Sequence, residues 1–438
     1  MSCPFDFDDL GLDLPTLTRA SDLIGQKLTS KQFQDCTEPT EGAQHPTLTA
    51  CNTLSFAPSS PTVDQHATPE TRHLYKNLMT MARNPNAIMF GHSSDTWSGA
   101  YGGHAPYEIK TNTSNIGWSY TVDQALKDYP DELSDVKSVT GQYAAVIDLG
   151  LWQLSSDRKT VVSHLAKKAH KRGVITTLSQ HLYNPVTGGS PWVGDDNGTV
   201  LHTVRRLLPG GDFNWKYQKN LDTIAEIAHN LTDDQGKLIP VLFRPLHELN
   251  GNWFYWGLGN KVQNTEDDLK SFYRYIVTYL RDLKNVHNFL YVFSPAGLND
   301  KADYLKVYPG DDYVDVIATD YYYISPSVQT SGFSRIMKDL VEIAESKNKI
   351  AAVSESGLFN NGIDTQTNFW NDKVLDVIKT DPTSRRIAYI LTWANHCNNN
   401  NCELWVPYKG HPAENDFRNN FFNDPITMFA DDIPDMFK

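Results

Sequence analysis

The sequence predicts an α/β protein, a single (β/α)8 barrel preceded by an irregular N-terminal extension. Three observations lead there. From Thr68 onward, short apolar runs alternate with amphipathic stretches of helical length, the pattern of parallel βαβ units. About eight such runs follow one another over roughly 360 residues, which favours a closed barrel over an open sheet. Each run also ends in polar or aromatic residues: FGHSSD, SQHLYN, RPLHE, DYYY, SESG and TWAN. In a barrel those ends form one face, where active sites sit.

The elements follow in order. Residues 1–66 carry Thr, Ser, Pro and Asp without sustained periodicity and end in the loop-like SFAPSSPTVDQHATPE, so they read as an extension or processed leader. Residues 67–438 form the barrel domain. Thr68-Pro69-Glu70 supplies a capping hydroxyl, a first-turn proline and a carboxylate, a strong start for the helix ETRHLYKNLMTMA. The strand AIMFGH comes next, then the strand AAVIDLG, the helix VVSHLAKKAHKRG and the strand VITTLSQH. The helix YQKNLDTIAEIAHNL, strand IPVLFRPLHE, helix DLKSFYRYIVTYLRDL and strand NFLYVFSP continue the alternation. VDVIATDYY, the helix FSRIMKDLVEIAESKN, and the strands IAAVSESG and IAYILTWAN complete it.

Composition narrows the partners. The 438 residues are 40% hydrophobic and 11% aromatic, with 10 Trp and 21 Tyr, which permits a binder of flat apolar rings. Net charge is −13, from 39 Lys+Arg against 52 Asp+Glu, and no basic block occurs, so no nucleic-acid partner is expected. No run of about 18 apolar residues exists, so no membrane span is expected. The first residues lack the basic start and apolar stretch of a signal peptide. Sequons at Asn112, Asn197 and Asn230 nevertheless point outside the cell. So does the CNNNNC run between Cys397 and Cys402, a loop that a disulfide would close in oxidising surroundings. Cys3, Cys36 and Cys51 are odd in number and cannot all pair among themselves. The expectation is a secreted mature glycoprotein, a monomer, acting on a neutral partner.

Two glutamates carry the chemistry. Cleaving a glycosidic bond with retention needs two carboxyl groups about 5–5.5 Å apart, one protonated and one ionised. Glu248 and Glu355 each stand at the polar end of an apolar strand. In extended backbone Arg244, Leu246 and Glu248 share one face, with His247 on the other unless the strand end twists. A carboxylate beside Arg stays ionised, and one shielded from water rises and acts as acid. One such glutamate reads best as a salt-bridge partner; two, each among aromatic and polar neighbours, read as a catalytic pair. His92, His181 and His247 would suit zinc, but no H-x-H pair occurs, so no metal is expected. No cofactor is expected either, since no phosphate-binding glycine loop is present, and no G-x-S-x-G elbow occurs. His104, His202 and His411 read as surface or loop residues. Trp97, Trp192 and Trp256 read first as packing residues and second as outer sugar platforms.

The segment VLFRPLHELNGNWFYWG resembles the acid/base strand of glycoside hydrolase family 26. IMFGHSSD, TLSQHLYNPVTGG, LPGGDFNWKYQKNLDTIA, YPGDDYVDVIATDYY, VSESG, ILTWAN and VPYKGHPAENDF resemble the same family in the same order, from about Thr68 to Phe429. The resemblance implies a (β/α)8 barrel with Glu248 as acid/base and Glu355 as nucleophile at the ends of strands 4 and 7. It implies that Arg244 orients the nucleophile, that His247 and His92 bond the sugar, and that Trp253 shapes the site beside the acid/base. Tyr322 would touch the nucleophile, and Trp393 would lie under the sugar to be cleaved. His181 with Asn184 is a further sugar contact or a structural pair. FGHSSD, SQH and ATDYYY depart from the family's usual Gln-Asp-Asp, Trp-His and Gly-Phe-Asp, which places the differences in the sugar subsites. The implied activity is a retaining endo-β-1,4-mannanase on mannan, glucomannan or galactomannan. The alternatives are the same mechanism on β-1,3-xylan or mixed-linkage β-glucan, and a non-catalytic carbohydrate-binding barrel.

Overall fold

A computed structural model describes residues 62–101, 106–110, 120–128, 133–194, 200–398 and 401–438. Residues 1–61, with Cys3, Cys36 and Cys51, and the sequons Asn112 and Asn197 lie outside the described residues, as does His104.

Eight parallel strands close into a ring: β1 Ile88–Ser93, β2 Val146–Asp148, β3 Ile175–Ser179, β4 Val241–Arg244, β5 Phe289–Phe293, β6 Val316–Tyr323, β7 Ile350–Leu358 and β8 Tyr389–Thr392. Each pairs with the next, and β1 pairs back onto β8 with Met89 beside Tyr389 and His92 beside Thr392. The short strand Thr427–Met428 adds to β1 near its start. Among the outer helices are α1 Pro69–Arg83, α2 Asp135–Thr140, α3 Ser156–Lys171, α4 Asn214–Asn230, α5 Glu266–Thr278 and α6 Ser331–Ser346. The expected helix start holds: Thr68 accepts from the Thr71 amide, and Pro69 opens the first turn.

Period-two alternation sorts the strand side chains into two cores. Met89, Val146, Ile175, Leu242, Leu290, Val316, Ala318, Ile350, Ala352 and Leu391 fill the barrel interior. Phe90, Ile147, Phe243, Ile317, Ala351 and Val353 face the helices. Leu74, Leu78 and Met81 of α1, with Met436 and Phe437, join the interior core, so the first described helix and the last residues close the bottom. Val63 donates to Asp315 and Asp64 meets His287, both at 2.7 Å, which ties residues 62–66 to that end.

One expectation is corrected here. The extended face through Arg244, Leu246 and Glu248 does not exist, because β4 stops at Arg244. Pro245 has no N–H to continue the ladder. Beyond it Leu246 and Glu248 take left-handed backbone, φ 51° and 52°, the strained conformation that clusters at functional sites. The Glu248 amide is caught by the Ser294 carbonyl at the end of β5, at 2.8 Å.

Candidate active site

The interior changes character at the C-terminal end of the strands. Asp148, Arg244 and Asp320 occupy the next inward positions after Val146, Leu242 and Ala318. Glu355 joins them through a bulge. Up to Thr319 opposite Val353 the β6–β7 register is regular, and then Asp320 pairs with Glu355. The extra residue is Ser354, whose hydroxyl donates to Asp320 at 2.6 Å. Counting from Ile350 by alternation would turn Glu355 toward the helices; a one-residue slip turns it inward.

Arg244 lies at the centre, 1% exposed. It donates to Asp320 at 2.9 Å and to Ser294 at 3.4 Å, and makes a close ion pair with Glu355 Oε1. Burial opposes its charge, but Glu355, Asp320 and Asp148 together hold its pKa above the usual value. Tyr322, two residues past Asp320, donates its hydroxyl to Glu355 Oε2 at 2.6 Å. Both oxygens of Glu355 are therefore acceptors, the role of a carboxylate. Burial, then the Glu355 charge, pushes the Tyr322 phenol far above its ordinary range, so it remains a donor.

Glu248 has a different setting. Its Oε2 accepts from the Trp253 indole at 2.7 Å. Gly251 makes that reach possible, since a Cβ there would lie 2.4 Å from the Trp253 ring. Burial first, then the Glu355 charge, pushes Glu248 up to about 7. One carboxylate oxygen each from Glu248, Asp320 and Glu355 lies within 4.8 Å of the other two. Three such oxygens are the donor set of a metal site, but Arg244 already supplies the cation, bonded to two of the three residues.

Aromatic rings line one wall. His181 stacks on Trp152 at 4.2 Å and meets His247 at 4.1 Å and Trp393 at 5.5 Å. Burial drives both imidazoles well below their usual pKa, so both are neutral at pH 7. Trp256 donates to the His247 carbonyl and packs behind it, and Trp97 is likewise buried, while Trp192 is exposed against Phe254.

The structure thus brings Arg244, His247, Glu248, Trp253, Tyr322, Glu355, His181 and Trp393 to one end of the barrel. Two further expected contacts also make bonds within the protein. His92 is fully buried, and its Nδ1 faces Asp95 at 2.8 Å, with Asp95 held in turn by Ser134. Asn184 spends its side-chain oxygen on the Val186 amide at 3.0 Å, closing a turn. His411 stands in a loop, as one of its two expected settings has it, but is buried there and bonded to Asp364 at 2.8 Å. Sequence reasoning passed over Asp148 and Asp320. Asp320 had a signal, since it stands two residues before Tyr322 at a polar strand end.

A model of glycosyl hydrolase family 26 matches residues 63–406. A mannan endo-1,4-beta-mannosidase of Bifidobacterium adolescentis is 33% identical over 382 residues, covering 81% of this chain and 34% of that protein. A Bacillus subtilis mannan endo-1,4-beta-mannosidase is 28% identical, covering 61% of this chain and 69% of the relative. The chain therefore spans about a third of the first relative's length. Among solved structures, a modular endo-beta-1,4-mannanase of Cellulomonas fimi superposes with TM-score 0.72 at 32% identity, covering 87% of this chain and 80% of that one. A family 26 beta-mannanase of Bacteroides ovatus gives 0.70 at 30%, covering 85% and 98%. With the family model covering most of its length and the same barrel in these neighbours, the chain belongs to glycosyl hydrolase family 26.

Proposed function

We propose that this chain is a retaining endo-β-1,4-mannanase acting on mannan, glucomannan or galactomannan. The observation that carries the reading is the pairing of Glu248 with Glu355. One carboxylate oxygen of each lies within 4.8 Å of the other, and Glu248 is raised to about 7 in part by Glu355 itself. That spacing suits retention, because an inverting enzyme needs about 6.5–9.5 Å to hold a water between the groups.

Glu355 attacks the anomeric carbon while Glu248 gives its proton to the departing glycosidic oxygen. The bond to the leaving chain breaks, and a glycosyl ester to Glu355 forms. Water then enters; Glu248 takes one of its protons, the oxygen attacks the anomeric carbon, and the Glu355 carboxylate is released. Arg244 and Tyr322 hold Glu355 in position for the first step and stabilise it as the leaving group in the second. Trp393 and the neutral His181 and His247 offer an aromatic surface to the apolar face of the sugar. The β-mannan preference is supported by relatives named mannan endo-1,4-beta-mannosidase. Export fits the Cys397–Cys402 disulfide and the exposed sequon Asn230 at the end of α4. Residues 1–66 would precede the catalytic barrel as an extension or processed leader.

The test is reducing-sugar release from locust bean gum, lichenan and β-1,3-xylan, with product analysis on mannohexaose. The reading expects internal cleavage of the β-mannans and β-configured first products. Faster release from lichenan or β-1,3-xylan would move the substrate, and binding without turnover would leave a carbohydrate-binding barrel.

A further inference from the structure

Tyr322 must hold its hydroxyl on Glu355, yet a strand end does not by itself fix a tyrosine ring. Two aromatic side chains flank it. Phe359 approaches at 4.9 Å from the solvent side, 39% exposed, and Trp405 meets it at 5.2 Å in a T-shaped contact, 2% exposed. Trp405 also covers the backbone just past the nucleophile. A Cβ on Gly357 would stand 2.3 Å from the Trp405 ring, and Gly357 has φ +148°. The glycine of the SESG segment is thus the one residue that lets an indole lie against this strand.

The position of Trp405 is itself over-determined. Its amide donates to the Asn395 side chain at 2.6 Å, as does the Val406 amide at 3.1 Å. The Asn395 amide group donates to the Val406 carbonyl at 2.9 Å and to Asp135 of α2 at 2.7 Å. One residue earlier, the Leu404 amide donates to Asn361, which also donates to the Cys402 carbonyl, both at 2.8 Å. The disulfide Cys397–Cys402 closes the hairpin between Asn395 and Leu404. An excursion after β8 is pinned at both ends so that one indole returns to the back of Tyr322.

We propose that Trp405 is a positioning residue for the nucleophile: it fixes the Tyr322 ring so that the hydroxyl stays on Glu355. The proposal rests on the reading of Glu355 as the nucleophile. Trp405 touches no reacting atom, so its removal acts on turnover through Tyr322 and leaves substrate binding alone.

The experiment is a double-mutant cycle on the full chain with mannohexaose, using Trp405→Leu, Tyr322→Phe and the pair. Trp405→Leu is expected to lower kcat by about 10²-fold, the cost of a misplaced catalytic group, with KM changed less than about two-fold. In the Tyr322→Phe background the same change is expected to cost less than about two-fold more, because coupled residues are not additive. Equal losses in both backgrounds overturn the proposal, as does a Trp405→Leu enzyme with parental kcat or a Tyr322→Phe enzyme as active as its parent. Should Trp405→Leu not fold, Gly357→Ala presses the indole from the opposite side, and the cycle is run with it under the same criteria. A Glu355→Ala enzyme that still turns over is a separate outcome, which breaks the nucleophile reading itself.

Discussion

The lower and upper halves of the barrel interior are built from the same strands, by the same alternation, to opposite ends. Below, Val146, Leu242 and Ala318 point inward into an apolar core sealed by α1. One inward step further, Asp148, Arg244 and Asp320 take their places, joined by Glu355. The lower half is non-directional packing, where a residue matters for its volume. The upper half is a buried charge network, where removing one partner strands another. Stability and chemistry are separated by about 7 Å along each strand, two residues of rise.

That contrast is broken most severely at the glutamates. Glu355→Ala should lower kcat by about 10⁴-fold or more while lowering the thermal unfolding midpoint less than Arg244→Met does, because Arg244 keeps Asp320 as a partner. An inactive protein with a collapsed midpoint would mean that Glu355 is structural. Arg244→Met should damage both halves at once. It leaves Asp320 and Glu355 buried without their cation, a loss of about 3–5 kcal/mol in denaturant unfolding together with kcat. Leu242→Ala, one inward position below on the same strand, should cost about 2–5 kcal/mol of stability yet leave kcat near the parental value at temperatures where the protein is folded. A comparable fall in kcat would show that the two halves are not independent.

The smallest effect concerns pH. In the proposed mechanism Glu248 donates its proton in the first step, so activity should fall as pH rises through about 7, where the raised carboxyl ionises. The Trp253 hydrogen bond favours the ionised form and lowers that pKa. Trp253→Phe should therefore move the alkaline limb of kcat/KM to higher pH, and a move to lower pH would remove Trp253 from the acid's environment.

Much of this was legible in the sequence, for a physical reason. Helix and strand periods are local, so the alternation from Thr68 on marked all eight barrel strands, and the polar strand ends marked the face. Glu248, Glu355 and Arg244 drew attention because each stands at or near such an end, whereas Tyr322 was singled out among three adjacent tyrosines only through the family resemblance. What stayed hidden depends on backbone detail or on contacts between distant segments. The left-handed turn at Leu246 and Glu248 replaced an expected extended face once Pro245 ended the ladder. The bulge at Ser354, which turns Glu355 inward, leaves no periodic trace in VSESG. His92 stands at a polar strand end like the others, and the bond from its Nδ1 to Asp95 leaves no trace in the sequence. Trp405 lies beyond the last strand, and only the folded hairpin returns it to Tyr322.

The central claim is that Glu355 forms a covalent bond to sugar while Glu248, its neighbour across the cleft, supplies the proton. Incubation with 2-deoxy-2-fluoro-β-mannobiosyl fluoride, followed by mass spectrometry of the intact chain and its peptides, tests it directly. The fluorine slows both steps, and the reactive leaving group keeps the first step going, so the glycosyl ester accumulates. The account predicts one added fluoro-mannobiosyl unit per chain, on the peptide carrying Glu355. A label on another residue, or no label from an enzyme that hydrolyses mannan with inversion, would contradict it.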